Sequence, residues 1–169
     1  MKKNQVGFVC FGEINTPFER LQLKHDEALA ALSEKVEGLI DAGVVIDDPE
    51  YKYADAALQK LQGKDFYCLV VAVAGWVPTH AVIKVLDHYR HLPMVLWGLA
   101  GWYENGRLIT TADQAGTTAI RPAMEAMHYT FKYVYSIVNH PLPVDKVASY
   151  VTAAKAKANL RDARVGSMG

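Results

Sequence analysis

An α/β fold, with a mostly parallel five-stranded sheet between layers of helices, is predicted by three observations. Five apolar runs are short and almost free of polar alternation, as strands covered on both faces are. Between them lie stretches with apolar residues at three- and four-residue spacing, the period of an amphipathic helix. The two kinds of segment alternate along the chain, and repeated strand–helix–strand units imply right-handed crossovers between parallel strands.

The elements follow in order. Residues 6–11 (VGFVCF) form a buried strand ending at Gly12. Leu21, Ala28, Leu32, Val36, Leu39 and Ile40 then predict one long helix over 17–42, opened by Thr16-Pro17 and closed by Gly43. Val44, Val45 and Ile46 make a second strand, broken by Asp47-Asp48-Pro49. A short helix over 53–61 stops near Gly63, and 66–74 (FYCLVVAVA) is the third and most apolar strand. Gly75-Trp76-Val77-Pro78 turns into a helix over 79–89, and 93–98 (PMVLWG) is the fourth strand. Residues 99–111 read as a loop in which Asn105-Gly106 carries a hairpin signal. A helix starting at Ala112 or Thr117 and running to Thr130, a strand over 133–138 and an Ala/Lys-rich helix over 144–159 complete the pattern. Ala163-Arg164-Val165-Gly166 opens a further strand. The expectation is a Rossmann/flavodoxin-like domain over 1–162, with 163–169 as the start of a truncated second domain.

Composition narrows the function classes. A chain of 169 residues suits one domain with a sizeable core, and 51% hydrophobic residues exclude a disordered chain. Lys plus Arg and Asp plus Glu balance at 18 each, so no basic excess marks nucleic acid or an anionic membrane as a partner. Cys10 and Cys68 lie inside strand runs without CxxC spacing, as buried thiols do. With no signal-peptide core and no run of about eighteen apolar residues, a cytoplasmic location is expected.

Ligands of open α/β sheets gather at the carboxyl ends of the strands, where strand order reverses. That selects loops 12–18, 75–79, 98–102 and 112–118, with Glu13, Asn15, Thr16, Trp76, Thr79, His80, Trp102, Asp113, Gln114, Thr117 and Thr118. Carboxylate, amide, hydroxyl and indole groups suit a polyol; they are equally ordinary loop residues of such a fold. Neither GxGxxG nor a Walker A sequence is present, which argues against nucleotides. His80, His88 and His91 lack a carboxylate at ligand spacing and read as a cationic helix end; His128 and His140 stand alone. No Gly-x-Ser-x-Gly occurs either, so the residues show no catalytic set.

Four segments, VGFVCFGEINTP, CLVVAVAGWVPTH, LPMVLWGLAGW and TADQAGTTAIRPAMEAM, resemble the amino-terminal domain of the L-fucose and L-arabinose isomerase family, and ARVGSMG resembles its entry into the second domain. The resemblance implies a fucose-isomerase-like aldose–ketose isomerase in which a divalent ion, usually Mn2+, polarises the reacting oxygens while carboxylates move the proton. The metal ligands come from later domains in that family, so no cofactor and no activity are expected of this chain alone. Its implied partners are a monosaccharide and neighbouring subunits of a homo-oligomer. By position, Glu13 stands where the arabinose branch has a substrate-facing glutamine, and Trp76 matches a substrate-stacking tryptophan of the fucose branch. Gln114 matches the glutamine of an Asn-Gln-x-x-His segment whose histidine Thr117 replaces, and Arg20 stands near a fucose-branch arginine. The departures at 13 and 117 count against L-arabinose itself. The competing expectations are a free-standing flavodoxin-like or periplasmic-binding-like module for a small polar ligand, and a purely structural oligomerisation domain.

Overall fold

A computed structural model describes residues 5–161 together with 163, 164 and 166, the side chains of 111 and 112 apart. The chain runs β1 (Gln5–Gly12), α1 (Phe18–Ser33), β2 (Leu39–Ile46), α2 (Lys52–Leu61), β3 (Phe66–Val73) and α3 (Thr79–Leu86). After a 3-10 turn it continues through β4 (Met94–Ala100), β5 (Trp102–Glu104), β6 (Arg107–Ile109), α4 (Thr111–Ala126), β7 (Phe131–Ile137) and α5 (Val144–Arg161). Five strands form one parallel sheet in the order β2-β1-β3-β4-β7. The five parallel strands are those expected from the alternation of strand and helix, and their order is the flavodoxin-like one.

Alternate strand residues feed two cores. Val9, Phe11, Leu69, Val71 and Leu96 pack with Ala54, Leu61, Val82, Ile120 and Met124 of α2, α3 and α4. Phe8, Cys10, Val70, Val95 and Trp97 pack with Leu21 and Leu32 of α1 and with Val147 and Val151 of α5. Every residue of β3 is buried, which explains its unbroken apolar run. Trp97 satisfies its buried indole N–H on the Ser136 hydroxyl. Burial pushes both free thiols, Cys10 and Cys68, up to about 12, leaving them protonated and unreactive at neutral pH. No helix of the described residues is long and apolar enough to cross a membrane.

One element departs from the sequence reading. The helix expected over 17–42 ends at Ser33, and Leu39–Ile46 is a strand. Leu39 and Ile40 fit a helical period, but a left-handed Gly38 (φ 71) turns the chain and β1 takes those residues as ladder partners. Gly43 therefore closes no helix. Its φ of 86 serves a bulge in β2, where the register against β1 skips between Asp41 and Val44. Elsewhere the differences are of boundary: β4 runs on to Ala100, β7 starts at Phe131 and α5 reaches Arg161. The Asn-Gly signal is a hairpin, with Asn105 (φ 50) and Gly106 (φ 74) both left-handed between β5 and β6. The strand expected at 163–166, and the second domain with it, depend on Val165 and on 167–169, which lie outside the described residues.

Candidate functional site

From β1 the chain crosses to β2 on one side, while β3 lies on the other, so the connections part between β1 and β3. Ligands of such sheets bind above that parting. Gly75, just beyond β3, marks where the loops meet: a Cβ there would lie 3.5 Å from Thr16 Oγ1 and 3.9 Å from Asp113 Oδ1. Gly116 on α4 presses against the same loop, its missing Cβ only 2.8 Å from the Gly75 carbonyl oxygen and 3.0 Å from Trp76 Cα.

Beneath these loops lies an ion pair that binds four segments together. Lys24 of α1 donates to Asp113 Oδ2 (2.6 Å), to the Ala74 carbonyl (2.8 Å) and to the Leu99 carbonyl (2.8 Å). An ammonium has three donors, and all are used. Asp113 Oδ2 also accepts from the Gly101 N–H at 2.6 Å. Burial pushes the Asp113 carboxyl up and the Lys24 ammonium down, and each is opposed by the other's charge. The first turn of α4 adds the helix dipole, which favours a carboxylate there. With every donor committed, Lys24 holds the loop ends in place.

Around this clamp the sequence-predicted residues divide. Glu13 sits half-buried after β1, its Oε1 accepting from Thr16 Oγ1 at 3.4 Å, and Asn15 is exposed in the same turn. The Arg20 guanidinium lies 4.4 Å from the Trp102 ring centroid and 3.8 Å from a Glu104 carboxylate oxygen. Trp102 Nε1 is buried without a hydrogen-bond partner among the described residues. Trp76 is 38% exposed next to Gly75, and Ile14 and Phe18 in and just after the first loop are exposed too, Phe18 packing on Tyr53 with ring centroids 5.8 Å apart. Gln114 and Thr117 are engaged elsewhere. Gln114 donates to the Tyr135 hydroxyl (2.8 Å), toward β7. Thr117 is buried against Gly98 and donates to the Asp113 carbonyl at 3.2 Å. Of the predicted residues, Glu13, Asn15 and Trp76 thus lie on the loops that follow β1 and β3, and Arg20 lies against the β5–β6 hairpin.

Sequence reasoning missed two polar groups on α1. Lys24 falls in the polar part of the helical pattern, and no motif signals that it reaches the ends of β3 and β4. His25 is buried too, packing edge-on against Phe8 with ring centroids 5.4 Å apart. Its Nε2 lies 2.8 Å from Asp41 Oδ1 and its Nδ1 2.7 Å from Asp26 Oδ1. Burial lowers the imidazole's pKa, but the hydrogen bonds to Asp41 and Asp26 outweigh it and the net shift is upward. Burial likewise acts against Asp41, yet the His25 hydrogen bond leaves it lowered; Asp26 is lowered chiefly by the same ring. A raised histidine stabilises fully below its unfolded value and less as pH climbs through the folded one; lowered carboxylates do the reverse at acid pH. The cluster is therefore strongest between about pH 4 and 6.5, the unfolded values of its members. His25→Gln is expected to cost about 1 kcal/mol more at pH 5 than at pH 9 in urea unfolding, Asp41 being partly solvated. An equal cost at both pH values would remove the imidazolium from this account.

Among the described residues no group of three or more His, Cys, Asp or Glu is arranged to hold a metal ion. His80 packs on Tyr51 and His88 on Tyr89. No protein-family model matches the chain and no curated protein matches it.

Proposed function

We propose that the crevice between the β1 and β3 loops binds a monosaccharide, and that this domain is the substrate-recognition and oligomerisation part of a fucose-isomerase-like aldose–ketose isomerase. The observation that carries the reading is the place of the loops bearing Glu13 and Trp76: they follow β1 and β3, between which the strand connections part, and the Gly75 backbone beside Trp76 lies against Thr16 and Asp113 over the Lys24–Asp113 clamp. A carboxylate accepts from sugar hydroxyls, a guanidinium donates to them, and an indole stacks on a sugar's C–H face. Exposed Ile14, Phe18 and Trp76 on the loops after β1 and β3 suit a surface that a neighbouring subunit covers. The resemblance places the divalent ion's ligands in later domains, and no proton-transfer step is assigned to the described residues. Two buried, unpaired thiols suit a reducing cytoplasm.

The strand order equally suits a free-standing flavodoxin-like module. Against a phosphate in its first loop, the Ile14 N–H is bound to Asp47 Oδ1 (2.7 Å) and the Thr16 N–H to the Glu13 carbonyl (3.1 Å). Two of the backbone donors an anion would need are already taken. Calorimetric titration with L-fucose, L-fuculose and flavin mononucleotide separates the readings. Saturable sugar binding is expected, weakened about tenfold by Trp76→Ala or by Glu13→Ala, an effect of about 1.4 kcal/mol. Binding of the flavin nucleotide alone, or sugar binding indifferent to both substitutions, would overturn the proposal.

A further inference from the structure

The two edges of the sheet are built differently. At β2 the ladder is interrupted by the bulge at Gly43, and Asp41 is drawn to His25, features that keep an edge from pairing with another chain. At the other edge β7 is regular: seven residues, Phe131–Ile137, pair with Met94–Ala100 without a register shift. The parity of its hydrogen bonds is fixed at both ends, where the Met94 N–H donates to the Thr130 carbonyl and the Val138 N–H to the Ala100 carbonyl. In a parallel ladder the even residues 132, 134 and 136 then turn their N–H and C=O groups to β4. Phe131, Tyr133, Tyr135 and Ile137 turn theirs outward. The side chains of these same four residues stand on the α4 face, half-buried except for Tyr135, which is exposed.

We infer that this open edge is a self-association surface, on which β7 of a second copy pairs antiparallel about a two-fold axis at Val134. That register makes the strand its own complement. Tyr133 falls opposite the second copy's Tyr135, and Phe131 opposite its Ile137, each pair occurring twice. Aromatic–aromatic and aromatic–β-branched pairs are the stabilising cross-strand combinations. Like charges are kept apart: Lys132 faces the second copy's Ser136, and the two lysines stand four residues, about 13 Å, from each other. That exceeds the screening length of about 8 Å at physiological ionic strength. Of the charges beside the edge, Arg121 is paired with Glu125 at 2.9 Å and Asp145 with Lys35 at 3.1 Å, which leaves Lys132 and Lys146 as the positive charges near the strand. A single strand pair is a small interface, so a dissociation constant on the order of 10 µM is expected. The inference does not rest on the sugar reading, because β7 lies two strands from the β1–β3 crevice.

Sedimentation equilibrium of the full chain tests it, with circular dichroism to check the fold of each variant. The wild type is expected to be dimeric at concentrations of about 100 µM, tenfold above that constant. Tyr135→Pro removes an N–H that points outward, so it spares the β4 ladder and should yield a folded monomer. Y133K/Y135K sets like charges directly opposite and should also be monomeric, whereas Y133E/Y135K sets opposite charges there and should restore the dimer. A monomeric wild type at that concentration, a dimeric Tyr135→Pro, or a Y133E/Y135K protein no more dimeric than Y133K/Y135K overturns the proposal. Sugar titration of the monomeric variants reports separately on the crevice.

Discussion

Lys24→Met is expected to destabilise the domain by about 3–5 kcal/mol, the usual cost of removing one partner from a buried ion pair. Methionine keeps most of the lysine stem and so isolates the loss of the ammonium. The substitution strands the Asp113 carboxylate, only 2% exposed, and leaves the Ala74 and Leu99 carbonyls without their donor. Because burial already raises the Asp113 carboxyl, losing the lysine raises it further. A carboxyl with a raised folded value stabilises below its unfolded value and loses that contribution as pH rises. The gap between wild type and variant should therefore narrow from pH 7 to pH 4. K24M/D113N should recover at least about 1 kcal/mol of the loss, since it leaves no buried charge. Urea unfolding of the four proteins measures the cycle. A Lys24→Met cost below about 1 kcal/mol would show that solvent, and not the clamp, holds these groups.

Gly116→Ala should cost about 3 kcal/mol, the upper end of the overpacking range. The added methyl would stand 2.8 Å from the Gly75 carbonyl oxygen, 3.0 Å from Trp76 Cα and 3.2 Å from Val77 N. All three are backbone, so no rotamer change relieves the contact and either α4 or the β3 loop must shift. That shift moves Trp76, and sugar affinity should fall along with stability. Near-wild-type thermal unfolding of Gly116→Ala would mean that helix and loop are not in the contact described.

Much of this was legible in the chain because it rests on local pattern. The unbroken run 66–74 could only be a strand covered on both faces, and Asn105-Gly106 could hardly mean anything but a tight hairpin. The failure at 34–43 has a plain cause: apolar spacing suits either a helix or a strand there, and pairing with β1 decides between them. The crevice was half legible. Its loops follow from strand order, which placed Glu13 and Trp76, but the helix face on which Thr117 would lie depends on how α4 meets β4. Lys24 was out of reach, since its importance comes from partners at the ends of β3 and β4 and on α4 that share no local signature with it.

The reach of those bonds sets when they form. Lys24 joins groups 50, 75 and 89 residues away along the chain, and it finds them only after α1, β3, β4 and α4 have come together. Contacts of such long separation are absent from a nucleus made of neighbouring elements, so the clamp closes on the native side of the folding barrier. The stability lost in Lys24→Met should then emerge as faster unfolding at a nearly unchanged refolding rate. Lys24 acts, in that sense, as a latch on lifetime: it sets how long the crevice stays assembled once the domain has folded.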